Sequence, residues 1–152
     1  MDPLRHHEIF VDTTARIVTL VRTARPFASA HELEEETAFF AEAVRGIERA
    51  RYGLVIDARH GPGTHNDALD EPFSHFRRAV MRGFRGVAVV TTSAAGKLHV
   101  KRIARDDRVT DLAVFGTVEE ARAHLGARSE RRVREGASTP DGLPSEKHRS
   151  GR

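Results

Sequence analysis

Short apolar blocks alternate along the chain with longer stretches in which apolar residues return every three to four positions. The blocks "EIFVD" (8–12) and "RIVTLV" (16–21) are rich in β-branched and aromatic residues. Only "TTA" and its neighbours separate them, which predicts a hairpin. Ser29 followed by Glu32 forms a capping box, and behind it Leu33, Phe40, Val44 and Ile47 recur at helical spacing. The expectation is an amphipathic helix over 29–51, with Glu34, Glu35, Glu36 and Glu42 on its wet side. "YGLVID" (52–57) is apolar throughout and reads as a strand covered on both faces. A second helix is expected from about Asp70, because Pro72 is tolerated in a first turn and Phe73, Phe76, Val80 and Phe84 form a stripe. On that helix Arg77, Arg78 and Arg82 are expected to look outward. "GVAVVT" (86–91) predicts another buried strand, and Thr91, Thr92 or Ser93 a cap for a helix to about Ala104. "DLAVF" (111–115) predicts a last strand. Thr117 with Glu120 caps a closing helix to about Leu125.

This order, β-β-α-β-α-β-α-β-α, implies a single α/β domain over 1–126 with a mainly parallel sheet. The opening hairpin lies at one edge, and the crossover helices pack on the sheet. Residues 127–152 carry almost no large apolar side chains and are expected to form a disordered tail.

Charge sharpens that division. Of the net charge of +3, all resides in the tail, where seven Lys/Arg face four Asp/Glu, and the preceding part is neutral. The tail is therefore basic, and the basic isoelectric point is weak support for nucleic-acid binding. No helix-turn-helix, zinc-finger or RNA-recognition motif is present, so sequence-specific nucleic-acid binding is not expected. With no cysteine there is no disulfide framework, thiolate nucleophile or Cys-based metal site. No apolar run reaches the ~20 residues that cross a bilayer, and the N-terminus lacks a leader pattern. A cytoplasmic protein without membrane insertion is the expectation.

Candidate chemistry concentrates in "LVIDARHGPGTHNDALDEPF" (54–73), where a strand runs into a polar loop. Open α/β sheets place ligands at the carboxyl ends of their strands, which is where this loop falls. Asp57, Arg59, His60, Thr64, His65, Asn66 and Asp67 are the candidate binding residues there, joined by Arg77 and Arg78 on the second helix. Asp57, His60, His65 and Asp67 would also be the donors of a metal or acid–base site. That reading requires them to converge, since no HExxH or helical His pair is present. His6 and His7 are neighbours on a strand and so are expected to point apart. "TTSAAGKL" (91–98) imitates the end of a phosphate loop but has Thr91 where a glycine is needed and Leu98 where a hydroxyl is needed. Ser74 and His75 diverge on a helix and make no nucleophile–base pair. Neither a cofactor, a metal nor a catalytic set is assigned. Arg77, Arg78, Arg82 and Arg85, with Lys97, Lys101, Arg102 and Arg105, are expected to form a solvated, arginine-rich surface, with one merged positive patch as the alternative.

The element order, with "LVIDARHG", "GVAVVTT" and the closing "DLAVFGTVEEARAHL", resembles the STAS or SpoIIAA-like domains of anti-sigma-factor antagonists, over residues 8–125. The resemblance implies a non-enzymatic regulatory or scaffolding domain that docks a protein partner, such as a kinase-like signalling protein, at the loop and second helix. It also implies a phosphorylatable hydroxyl near that loop, for which Thr64 and Ser74 are the candidates. The usual D-S-S-G sequence is absent here. A second expectation is a small-molecule or lipid-binding domain in which Phe73, Phe76 and Phe84 line a cavity beneath the second helix. The third is an enzyme using the loop's His and Asp residues. A homodimer formed by strand addition at the open hairpin edge is a further expectation.

Overall fold

The computed structural model describes residues 5–63, 66–109 and 111–127. Strands β1 (His7–Asp12) and β2 (Ile17–Arg22) form the hairpin. Helix α1 (Ala30–Ala43) leads to β3 (Gly53–Asp57), α2 (Asp70–Met81) to β4 (Gly86–Val90), and α3 (Ala94–Asp106) to β5 (Leu112–Phe115). A fourth helix, α4, covers 118–127. The five strands lie in the order β1-β2-β3-β4-β5, antiparallel only between β1 and β2 and parallel thereafter. The chain is thus an α/β protein with a mainly parallel sheet. The tail expected over 127–152 lies, from 128 on, outside the described residues.

Register divides the sheet into two apolar faces. Val18, Leu54, Val87 and Leu112 stand opposite one another across four strands. On this face Val18, Leu20, Leu54 and Val87 pack with Leu33 and Phe40 of α1 and Phe76 and Val80 of α2. The alternate positions Ile17, Val55, Ala88 and Val90 form the second face, under Ala121 and Leu125 of α4. Burying a side chain such as Leu125, which has no exposure, contributes about 2–3 kcal/mol. The approach is close enough that a Cβ on Gly53 would lie 2.9 Å from Leu125 Cδ1, so a larger residue there would have to displace Leu125 where β3 meets α4.

The helix expected over 29–51 ends much earlier, at Ala43. Gly46 follows and disfavours continuation, and Arg49 draws the chain across to α2. The Arg49 guanidinium donates to the carbonyls of Ala79, Val80 and Arg82 at 3.0, 3.3 and 2.8 Å, closing the C-terminus of α2. At its start α1 has the expected cap, with Ser29 Oγ accepting the Glu32 N–H at 3.2 Å. Glu32 returns the bond one residue early, to the N–H of Ala28.

Candidate functional site

The carboxyl ends of β2, β3 and β4 open into a cleft of about 520 Å³ lined by Arg22, Arg59, Gly61, Asn66, Thr92 and Ser93, among others. Asp57 ends β3 and is 3% exposed. Arg59 doubles back onto it, Nε to Oδ1 and NH2 to Oδ2, both at 2.8 Å. Those hydrogen bonds hold the Asp57 carboxyl below its ordinary range despite burial. Asp57 is therefore a structural anchor for the loop, and Arg59 is its partner. Asn66 caps a single 3-10 turn at Asp67–Leu69 by accepting the Ala68 N–H at 3.1 Å. His60 is exposed. Thr64 and His65 lie outside the described residues. Among the described residues no group of three or more His, Cys, Asp or Glu is placed to hold a metal.

Arg77 differs from expectation, and Ser74 shares its partner. Arg77 does not face outward: its Nε donates to Oδ2 of Asp107 at 2.7 Å, and Ser74 Oγ donates to Oδ1 of the same carboxylate at 2.7 Å. Asp107 follows α3 directly and is buried, so this contact ties α2 to the end of α3. Burial alone would raise the Asp107 carboxyl, but the hydrogen bonds from Arg77 and Ser74 outweigh it and hold it low. Arg78 is exposed on the other side of α2. Two arginines of the basic set are engaged within the fold. Arg77 is taken up by Asp107, while Arg85 reaches the opposite end of the sheet and donates to Leu125 O at 2.8 Å.

Between α2, α3 and the first face of the sheet lies an apolar cavity of about 200 Å³. Its floor is Leu20, Ile56, Val89 and Leu112, and its roof includes Phe76 and Val80 of α2 and Val100 and Ile103 of α3. The cavity adjoins the cleft, for both are bounded by His7, Phe76, Arg77 and His99. It exists because α3 does not sink into the sheet: none of its thirteen residues is buried. Gly96 in its first turn lies where a Cβ would come within 2.5 Å of Thr91 Oγ1. That close seating on β4, rather than a phosphate, explains the glycine of "AAGKL".

The polar cluster nearest the cavity was not expected from the chain's pattern. Glu36 is 4% exposed, against the expectation that it lies on the wet side of α1. It occupies the Leu33–Phe40 stripe, three residues after one and four before the other, and this spacing was the available signal. His7 Nδ1 lies within hydrogen-bond distance of Glu36 Oε2, at 2.9 Å, and His6 Nδ1 stands 3.8 Å from Oε1. The two histidines thus converge on one carboxylate instead of pointing apart, because His6 precedes β1 and escapes strand alternation. His6 stacks on Phe27 with ring centres 3.9 Å apart, and His7 on Phe76 at 5.4 Å. Burial pushes both imidazoles below their ordinary value, with Glu36 opposing. Arg22 crosses the mouth of the cleft over Phe27, and burial lowers it to about 10.

Comparisons of the chain with known family models, with characterised proteins and with solved structures found no match in any of the three. Among the described residues no helix is long and apolar enough to cross a membrane.

Proposed function

We propose that this chain is a non-enzymatic binding domain that holds a small, mainly apolar molecule between α2, α3 and the sheet. The apolar cavity beneath a helix with no buried residue carries the reading. Close-packed interiors leave few voids larger than water, and a dry apolar cavity of about 150 Å³ is enough to take benzene. The adjoining cleft gives such a molecule a way in, and α3 is the element able to move aside for it. Toluene titrated into the protein, followed by NMR shifts of Ile103 and Val100, should bind with a dissociation constant in the millimolar range or tighter. Ala104→Phe, which fills the cavity from α3, should abolish that binding without unfolding the chain. No shifts in the wild type, with a folded and unaffected Ala104→Phe, would refute the cavity.

A second reading, the STAS-type docking of a regulatory protein, is supported by Leu98. This leucine is 69% exposed on α3, beside the cleft-lining Gly96 and His99. Phosphorylation of Ser74 would set a dianion against Asp107 and release α3 from α2, coupling a switch to the same helix. Under this reading Leu98→Asp would weaken partner association and leave toluene binding unchanged.

A further inference from the structure

Which molecule the cavity takes is set by the polar atoms in its wall. Four polar side chains reach that wall: His7, Arg77, His99 and Asp107. Arg77 and Asp107 are joined to each other at 2.7 Å, and His99 Nδ1 lies 3.3 Å from Arg102 NH2. His7 differs in that its orientation is imposed from behind. A carboxylate has only lone pairs to offer, so the nitrogen facing Glu36 must carry the proton. In the neutral ring the other nitrogen, Nε2, is then a bare acceptor. Phe76 stacks on the ring and limits its rotation, and His7 itself is 4% exposed, closed to bulk water but lining both the cavity and the cleft.

Burying Glu36 is costly unless its carboxylate is hydrogen-bonded, and His7 Nδ1 at 2.9 Å supplies that bond, with His6 Nδ1 3.8 Å away. The groups that face His7 from the packed elements are Glu36 of α1, Arg22 of β2, Arg77 of α2 and the preceding His6, with His99 and Asp107 across the cavity. Desolvation dominates among them and keeps the ring neutral near pH 7. The wall therefore combines a wide apolar surface with a buried imidazole, His7, whose tautomer Glu36 sets.

Resting on the cavity reading, we propose that the ligand is an apolar molecule carrying one hydroxyl, an alcohol or phenol, whose O–H donates to Nε2 of His7. Glu36 is the positioning residue that fixes the acceptor. The arrangement discriminates against pure hydrocarbons, which leave Nε2 unsatisfied, and against carboxylates, which offer no proton to it near pH 7.

Phenol and toluene separate this inference from the one on which it rests, because they match in shape and differ in the donor. The quantity to measure is the ratio of their affinities in the wild type, in His7→Phe and in Glu36→Gln. The ratio should fall about fivefold or more in His7→Phe, the worth of one buried hydrogen bond. It should fall by a smaller factor in Glu36→Gln, where the amide no longer dictates which ring nitrogen is protonated. Toluene should bind all three proteins alike. Ring ¹⁵N shifts of His7 in the wild type should report the Nδ1–H tautomer, with phenol, but not toluene, moving the Nε2 resonance. Toluene binding with an unchanged ratio, or an Nε2–H tautomer in the wild type, would overturn the inference and leave the cavity reading standing. Failure of both probes to bind the wild type would overturn both. Were His7→Phe not to fold, the tautomer and Glu36→Gln still decide.

Discussion

Ser93 opens α3 and Thr117 opens α4 by the same hydrogen bond, a hydroxyl oxygen accepting the N–H three residues on, at 2.9 and 3.1 Å. From there the two helices diverge. Helix α4 buries Ala121 and Leu125 completely against Ile17, Val55, Ala88 and Val90, and the Leu125 side chain lies directly over Gly53 of β3. Helix α3 buries no residue and spans a void, held at its far end by Asp107 against Ser74 and Arg77. Equal local signals thus produce one helix that completes a core and one that roofs a cavity. A helix held by polar contacts at its ends can shift at small cost, whereas one locked by apolar interdigitation cannot. The contrast places the less buried of the two helices over the candidate site.

The strongest way to break that contrast is to truncate one side chain from each helix. Leu125→Ala should lower unfolding free energy by about 3–4 kcal/mol, as expected where a fully buried leucine leaves an unfilled hole. Ile103→Ala, made beside an existing void, should lose less than about 1.5 kcal/mol. Urea unfolding measures both, and equal losses would show that α3 belongs to the core after all.

Acid tests the histidine cluster that borders the cavity. His6 and His7 are held below their ordinary value near 6.5, chiefly by burial, with Glu36 and Glu32 opposing it and Arg22 and Arg25 reinforcing it. The unfolded chain therefore binds more protons than the folded one as pH falls through that value. Stability should be level above about pH 7 and decline below about 6.5, where unfolded histidines take up protons. Urea midpoints at pH 7.5 and 5.5 should differ in that direction, and His7→Gln should reduce the difference. A midpoint that rises on acidification would contradict the buried, neutral assignment.

The smallest expected effect sharpens the comparison most. Removing either cap, Ser93→Ala or Thr117→Ala, should cost about 0.5–1 kcal/mol. In α3 the loss should appear as faster amide exchange confined to 94–106, because that helix opens alone. In α4 it should appear as a lower global midpoint, since Leu125 couples the helix to the sheet. Exchange that rises equally in both helices would remove the distinction.

Much of this frame was legible before any coordinate. The sheet-forming blocks lie within a residue or two of their expected places, and the caps at Ser29, Ser93 and Thr117 are all used. The site was harder to read. Asp57, singled out in the loop, proved to be paired with Arg59, and Arg77 proved to be bound across to Asp107. The His7–Glu36 pair escapes such reading because strand alternation sets His6 and His7 apart and an acidic run suggests an exposed Glu36. Both rules describe a residue relative to its own element, and 29 positions separate this pair.

Local pattern, then, determined the order of elements, the two apolar faces of the sheet and the α/β class, since periodicity and capping depend on neighbours a few residues apart. Only the tertiary structure decided that Glu36 would turn inward to two histidines and that α4 would seal its face while α3 would not. The separation between layers is fixed by summed side-chain volumes from distant parts of the chain, and no short stretch of sequence contains that sum.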